Sequence, residues 1–190
     1  MSLGENIKSA FEVVLKTYEN VDKLLRYCDL IAEDYGYEVV TDKFLRYKSD
    51  SNYEGWFINS FIKLYQSKHD NTLENSWKDG PVFVMEINFE DMPTVYLSKF
   101  EYEDISSWGK GVSPSEYWGF TDPIDCEGNG FNESPIDEKE GYYISEPTPD
   151  LKSRYWDVKR VIYTKTDLLQ IDSSNVSKNI FGEFDTLNKF

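Results

Sequence analysis

Apolar side chains recur at every third or fourth position over the first part of the chain. The series is Ile7, Phe11, Val14, Tyr18, Val21, Leu25, Cys28, Ala32 and Tyr35. This spacing places all of these side chains on one face of a helix. Gly36 follows at the position where a left-handed residue commonly ends a helix. The pattern predicts one long helix from about Glu5 to Tyr35, either continuous or broken near Asn20.

The apolar face of this helix has two interpretations. Ala10, Leu15, Leu24 and Ile31 make it wider than the narrow seam of a coiled coil. A wide face is typical of a helix that packs on its own domain, and this is the favoured prediction. The alternative is a homodimer formed through the helix, so the chain is predicted to be a monomer or such a homodimer.

Two stretches after the helix give weaker signals. Residues 37–47 alternate short runs of β-branched and aromatic residues with polar ones, which predicts one or two short strands. Residues 52–67 are rich in aromatic and β-branched residues, as in a strand, yet the spacing of Trp56, Phe57, Phe61, Leu64 and Tyr65 fits a helix. A helix is favoured for residues 52–67, with a strand left open.

The clearest β pattern begins at Pro81. Residues 82–89 alternate strictly, with Phe83, Met85, Ile87 and Phe89 on one side and Val82, Val84, Glu86 and Asn88 on the other. A short polar turn follows, and residues 94–102 alternate again, with Tyr96, Phe100 and Tyr102 opposite Val95 and Leu97. The two stretches predict an antiparallel hairpin.

The alternating pattern returns near the end of the chain. Residues 155–164 predict a third long strand, although Thr148-Pro149-Asp150 is also a good helix start and leaves its beginning open. A capping cluster at Asp172-Ser173-Ser174 then predicts a short C-terminal helix. The whole chain, 1–190, is therefore predicted to be one α+β domain. In it a long N-terminal helix and shorter helices pack on a mainly antiparallel sheet, and residues 101–150 form a long loop-rich insertion.

The insertion differs from the rest of the chain in charge. Residues 101–150 hold 13 acidic and two basic residues, a net of 2 − 13 = −11 within a chain whose formal charge is −15. They also hold six of the 11 glycines and five of the seven prolines. Aromatic residues make up the same 16% there as in the whole chain, which is too rich for a disordered linker. An ordered, acidic and aromatic surface is the prediction.

Charge and composition narrow the classes of partner. A net charge of −15 repels nucleic-acid phosphates and anionic lipid, so neither nucleic acid nor a membrane is predicted as a partner. Cys28 and Cys126 are isolated cysteines without metal-site spacing, which is typical of a reducing compartment. With no signal-like segment in the sequence, a cytoplasmic location is the expectation. A basic protein is the predicted partner.

Motifs for catalysis are sparse. His69 is the single histidine, so a Ser-His-Asp triad has little support and a site with two zinc-binding histidines is excluded. The string Ser107-Trp-Gly-Lys110 lacks the companion motifs of serine acyltransferases, and no phosphate-binding glycine loop occurs. No catalytic residues and no cofactor are predicted.

One stretch of the insertion has oxygen-bearing side chains at the spacing of a cation-binding loop. Asp125, Glu127 and Asn129 at alternate positions, followed by Gly130, resemble an EF-hand calcium loop. The position of the bidentate glutamate in that motif is Ile136, and prolines bracket the loop where the motif has helices. No metal site is predicted, although a cation held in another geometry stays open.

These observations favour a non-enzymatic interaction module of the inhibitor or immunity type. Small acidic proteins that neutralise basic enzymes share this balance of composition, although no motif links them to this chain. The predicted aromatic anchors are Trp108, Tyr117, Trp118 and Phe131, and the predicted steering carboxylates are Asp122, Asp125, Glu127 and Glu133. The alternative is a small-ligand-binding or hydrolytic enzyme domain in which residues 101–150 act as a lid.

Overall fold

The computed structural model describes residues 2–124 and 130–190. It begins with one long helix, α1 (Leu3–Ile31), which is continuous through Asn20. Ser2 caps its N-terminus in a capping box with Glu5. A 3₁₀ turn (Ala32–Tyr35) extends the helix, and Gly36 ends it in the left-handed conformation at φ 87°. The prediction of a long N-terminal helix ending at Gly36 is confirmed.

The strands of the described residues form one seven-stranded antiparallel sheet in the order β1-β2-β3-β4-β7-β6-β5. Their bounds are β1 (Tyr37–Val39), β2 (Ser60–Ser67), β3 (Val82–Asn88), β4 (Thr94–Tyr102), β5 (Phe131–Pro135), β6 (Tyr142–Pro147) and β7 (Val158–Asp167). Together with the helices this confirms the predicted α+β class.

Both faces of the sheet are covered. On the first, the helical face, α1 packs through Val21, Leu25 and Cys28. A π-helical turn (Ser177–Phe181) and α3 (Gly182–Leu187) cover the rest of this face. The second, the insertion face, is covered mainly by the chain between β4 and β7. The sheet is thus the middle layer of three.

The insertion is more regular than a long loop. It contains 3₁₀ turns at Ile105–Ser107 and Pro114–Tyr117 and the short helix α2 (Trp118–Thr121). Strands β5 and β6 then extend the sheet beyond β7. The sequence did not predict these two strands, because charged and turn-forming residues interrupt their alternation. Residues 101–150 are therefore partly sheet.

The favoured helix over residues 52–67 is wrong. A 3₁₀ turn (Tyr53–Trp56) precedes strand β2, which fills the second half of the stretch. Phe61 and Tyr65 face the helical side, while Ile62 and Leu64 face the insertion side. A strand buried on both faces needs apolar residues at successive positions, so its sequence does not alternate.

The predicted packing of α1 on the sheet holds for only part of the helix. Buried positions begin at Val21, and between Leu3 and Lys16 only Val14 is even partly buried. The N-terminal half of the helix is exposed to solvent. Among the described residues, no helix is both long and apolar enough to cross a membrane.

Candidate functional site

A cleft of about 750 Å³ opens on the insertion side of the sheet. Three indole rings, those of Trp77, Trp108 and Trp156, lie in its wall, and we call it the tryptophan cleft. The other lining residues come from the insertion and from the turn before β7. They are Ser107, Gly109, Lys110, Gly111, Val112, Ser113, Glu116, Phe120, Ser153 and Asp157. The cleft therefore combines aromatic faces with both acidic and basic groups.

One wall is fixed by Trp77 and Trp108. Their ring centroids are 4.9 Å apart in an edge-to-face arrangement. This arrangement is favourable because the positive edge of one ring contacts the negative face of the other. The indole N–H of Trp77 donates to the carbonyl oxygen of Gly109 at 3.0 Å. The side-chain amide of Asn75 donates to the carbonyl oxygens of Ile105 and Trp108. These bonds tie the loop after β2 to the start of the insertion.

The wall continues from Trp108 to Trp156. Its ring centroid lies 5.5 Å from that of Trp108, 5.3 Å from that of Trp118 and 5.5 Å from that of Phe120. The tryptophans of the site therefore form one connected aromatic cluster. Burial of so many rings against one another rigidifies the cleft.

The backbone is strained at this wall. Trp156 has φ 54° and Asp157 has φ 57°, both in the left-handed region. This conformation costs a residue with a side chain on the order of 1 kcal/mol or more, and bulky residues rarely adopt it. Trp156 and Asp157, adjacent in the chain, both line the cleft.

The charged groups of the cleft differ in their partners. The Glu116 carboxylate accepts from the backbone N–H of Ser113 at 2.6 Å in a capping box. Within residues 2–124 and 130–190, neither Asp157 nor Lys110 forms an ion pair, and both are exposed. The nearby Glu103 forms ion pairs with Lys152 and Lys159, and their hydrogen bonds lower the pKa of the Glu103 carboxyl. Asp157 is thus a free carboxylate at the rim.

The four predicted aromatic anchors have different surroundings. Trp108 lies in the cleft, as described above. Trp118 packs beside it, on Trp156 and Tyr155, with the guanidinium of Arg154 6.0 Å from its ring centroid. Tyr117 contacts Tyr47 outside the lining. Phe131 is buried against Tyr155 with 4.9 Å between centroids and belongs to the core.

The predicted steering carboxylates are not gathered at one point. Asp122 accepts a hydrogen bond from the Tyr155 hydroxyl at 2.8 Å. Glu133 lies on the outermost strand β5 and accepts from the Tyr163 hydroxyl at 2.5 Å. Asp125 and Glu127 belong to the stretch that resembles an EF-hand calcium loop, and both fall outside the described residues. Asp122 and Glu133 therefore each hold a tyrosine of the insertion face.

Sequence reasoning missed Trp77, Trp156 and Asp157. Trp77 lies in a polar connection between strands. The alternation over residues 155–164 predicts a strand at Trp156, but Trp156 lies in the turn before β7, which begins at Val158. A tryptophan in an otherwise polar connection is the one signal that could have identified Trp77. The left-handed turn at Trp156 has no sequence signal, because glycine or asparagine is the usual residue there.

The described residues give little support to metal binding or to catalysis by His69 or Cys28. No group of three or more His, Cys, Asp or Glu side chains there is placed to hold a metal ion. His69 is exposed and lies beside Gly36, so it does not line the cleft. Burial raises the pKa of the Cys28 thiol to about 12. That thiol is therefore protonated near neutral pH and a poor nucleophile.

Comparison of this chain with family models, with curated proteins and with solved structures gave no match. Its function is therefore argued from the residues themselves.

Proposed function

We propose that this protein is a recognition module without catalytic chemistry, and that the tryptophan cleft receives a cationic side chain of a basic protein partner. The observation that carries the proposal is the pair Trp156 and Asp157. The two residues are neighbours in sequence, both line the cleft, and both have a left-handed backbone; one brings an indole ring and the other an exposed carboxylate without an ion pair among the described residues.

The chemistry of the lining suits a guanidinium or ammonium group. A cation over the face of an indole ring gains about 0.5–2 kcal/mol, and tryptophan is the best of the aromatic residues for this contact. The carboxylates of Asp157 and Glu116 outnumber Lys110, the one cation in the lining, so the lining has a net negative charge. The cleft volume of about 750 Å³ is ample for one long basic side chain.

The charge of the protein supports a basic partner rather than a neutral one. Of the formal charge of −15, the stretch 101–150 supplies −11. Such a charge accelerates the encounter with a positively charged partner and fixes its orientation. We extend the steering role to Asp122, Asp125, Glu127 and Glu133, with Trp108 and Trp118 as part of the contact surface.

Backbone strain at Trp156 and Asp157 is consistent with this role. Strained residues persist where the surrounding structure enforces them, and they concentrate at functional sites. A purely structural turn could use glycine here, which adopts a left-handed backbone without steric strain. The alternative of an enzyme with residues 101–150 as a lid has less support, because β5 and β6 are hydrogen-bonded into the sheet.

A peptide titration tests the proposal. The probe is a short arginine-rich peptide, and tryptophan fluorescence reports on the cleft. We expect binding that weakens as salt is raised, because screening reduces the attraction between exposed charges. A peptide with citrulline in place of arginine keeps the shape and lacks the charge, so it should not bind. If citrulline and arginine peptides bind equally, the cationic assignment is wrong.

Asp157→Asn is the informative variant, because asparagine tolerates the left-handed backbone and only the charge is lost. It should weaken arginine-peptide binding roughly three- to tenfold, in line with the loss of one partly desolvated ion pair. Glu138→Gln, on the turn between β5 and β6, is the matched control and should change binding less than about twofold. Equal effects of the two variants would assign the binding to net charge alone.

A further inference from the structure

The first four turns of α1 carry apolar side chains that nothing in the described structure covers. Leu3, Ile7, Phe11 and Leu15 are 76%, 52%, 58% and 65% exposed. The polar side chains of this stretch are satisfied within the helix, by ion pairs such as Lys8–Glu12. At about 1.5 Å per residue, Leu3 to Lys16 forms a rod of roughly 20 Å.

These exposed side chains continue the face that packs on the sheet further along. At 100° per residue, Ile7 and Phe11 project within about 40° of one another and of Tyr18 and Leu25. Leu25 is buried in the core beneath the helix. The same face is thus covered in the second half of α1 and uncovered in the first, so the uncovered half has the pattern of a packing surface.

A second apolar surface adjoins the helix where it meets the body. The hydroxyl of Tyr18 donates to the carbonyl oxygen of Ile58 at 2.8 Å and accepts from its N–H at 3.0 Å. The turn just before Ile58 carries Tyr53, Trp56 and Phe57, which are 71%, 71% and 48% exposed. We call the uncovered helix half and these three rings together the helix–ring surface.

The charge of this surface is unlike that of the rest of the protein. Residues 2–16 hold Glu5 and Glu12 against Lys8 and Lys16, and residues 53–57 add Glu54, a net charge of 2 − 3 = −1 in a chain of −15. A basic partner would find little attraction here. An anionic membrane requires a basic face on the helix, which this helix lacks. Two copies of the chain can bring this nearly neutral surface together while most of their negative charge lies elsewhere.

We propose that two copies of this chain associate through the helix–ring surface as a two-fold symmetric dimer. Two-fold pairing of identical patches is the commonest way in which soluble chains associate. Each of the seven exposed side chains named above has on the order of 100 Å² of accessible surface that the contact could bury. Their sum approaches the roughly 800 Å² that each partner of a specific dimer buries.

The dimer surface does not include the tryptophan cleft, so this inference goes beyond the proposed function and does not depend on it. Each copy would present its own cleft and acidic insertion. A dimer binds a partner with two cationic sites more tightly than a monomer does, because the second contact forms at a high effective concentration.

Sedimentation velocity over a range from low to high micromolar protein tests the proposal. We expect the parent chain to pass reversibly from monomer to dimer. Phe11→Glu should raise the dimer dissociation constant at least about tenfold, because it places a charge at the centre of the apolar contact. Trp56→Ser should weaken the dimer in the same direction, which tests the contribution of the three rings.

Val13→Glu is the matched control. Val13 is 65% exposed and lies two residues from Phe11, about 200° around the helix, so it projects away from the surface. The same change in charge there should alter the dissociation constant less than about twofold. Circular dichroism would verify that all variants keep the helix. A parent chain that stays monomeric at high micromolar concentration, or a Val13→Glu variant as disruptive as Phe11→Glu, would overturn the proposal.

Discussion

The backbone of Gly119 in α2 is in direct contact with the indole ring of Trp156, which lines the tryptophan cleft. A Cβ atom on Gly119 would lie 2.2 Å from Cζ3 and 2.4 Å from Cη2 of Trp156. Both distances are far inside van der Waals contact, so no other residue fits while the ring stays in place. The position of the Trp156 ring therefore depends on a glycine in α2.

Gly119→Ala should displace the Trp156 ring and open the cleft. Forcing a methyl group into a packed site typically costs about 1–3 kcal/mol, and we expect a loss of that order in the free energy of unfolding. The tryptophan fluorescence of the folded protein should change, because the ring packs on other indoles. Urea unfolding followed by fluorescence measures both effects.

Gly109→Ala provides the control for that substitution. Gly109 lies in the same cleft, but a Cβ atom there meets no other atom within 4 Å. The free energy of unfolding should therefore change by less than about 0.5 kcal/mol. If both variants lose the same stability, the close approach of Gly119 to the ring is not what positions Trp156.

The sheet was predictable where the chain alternates in polarity. Val95 and Leu97 lie on the helical face, and Tyr96 and Phe100 lie on the insertion face, as their alternation predicts. The same pattern gave the correct faces of β3. Strand β3 is buried on both faces, but Glu86 and Asn88 stand two positions apart among its apolar residues and keep the period of two visible.

The cleft was predictable only in part. Trp108 and the aromatic content of the insertion pointed to this side of the molecule. The wall also depends on Trp156, whose left-handed backbone is imposed by tertiary packing and leaves no local signal. Strand β2 is also buried on both faces, but its polar residues Lys63 and Gln66 stand three positions apart, which is a helical spacing, so its sequence favours a helix.

Tyr102 provides a test of the packing beside the cleft. Its ring centroid lies 4.5 Å from that of Trp108, while its hydroxyl is buried and has no hydrogen-bond partner among the described residues. Burial raises the pKa of Tyr102 well above its usual value. Tyr102→Phe removes an unsatisfied polar group, so the free energy of unfolding should rise by up to about 1 kcal/mol.

The comparison for Tyr102→Phe is Tyr155→Phe. The Tyr155 hydroxyl donates to the Asp122 carboxylate at 2.8 Å, and its loss leaves that carboxylate short of a donor. A decrease of about 1–2 kcal/mol in the free energy of unfolding is expected. Thermal or urea unfolding of the two variants should therefore shift in opposite directions. A destabilised Tyr102→Phe variant would mean that its hydroxyl has a partner.

Two aspartates near the end of β2 should affect stability with opposite dependence on pH. Burial, and then the negative charge of Asp79, raise the pKa of Asp70 above its ordinary value of 3.8. The pKa of Asp79 is lowered, because its carboxylate accepts hydrogen bonds from the side chain and the backbone N–H of Asn71. The ionised form is therefore unfavourable in the fold at Asp70 and favourable at Asp79.

The sign of each effect follows from proton binding. At Asp70 the folded state binds a proton more tightly than the unfolded state, so this group lowers stability as pH rises above about 3.8. Asp70→Asn should therefore be more stable than the parent near neutral pH, and the difference should vanish in acid, where both side chains are neutral.

At Asp79 the ionised carboxylate stabilises the fold. This stabilisation is present above about pH 3.8 and is lost as pH falls through the lower pKa of Asp79 in the folded state. Asp79→Asn should be less stable than the parent near neutral pH. Urea midpoints measured from neutral to acidic pH test both, and two variants that shift the midpoint in the same direction at neutral pH would contradict the assignment of opposite pKa shifts.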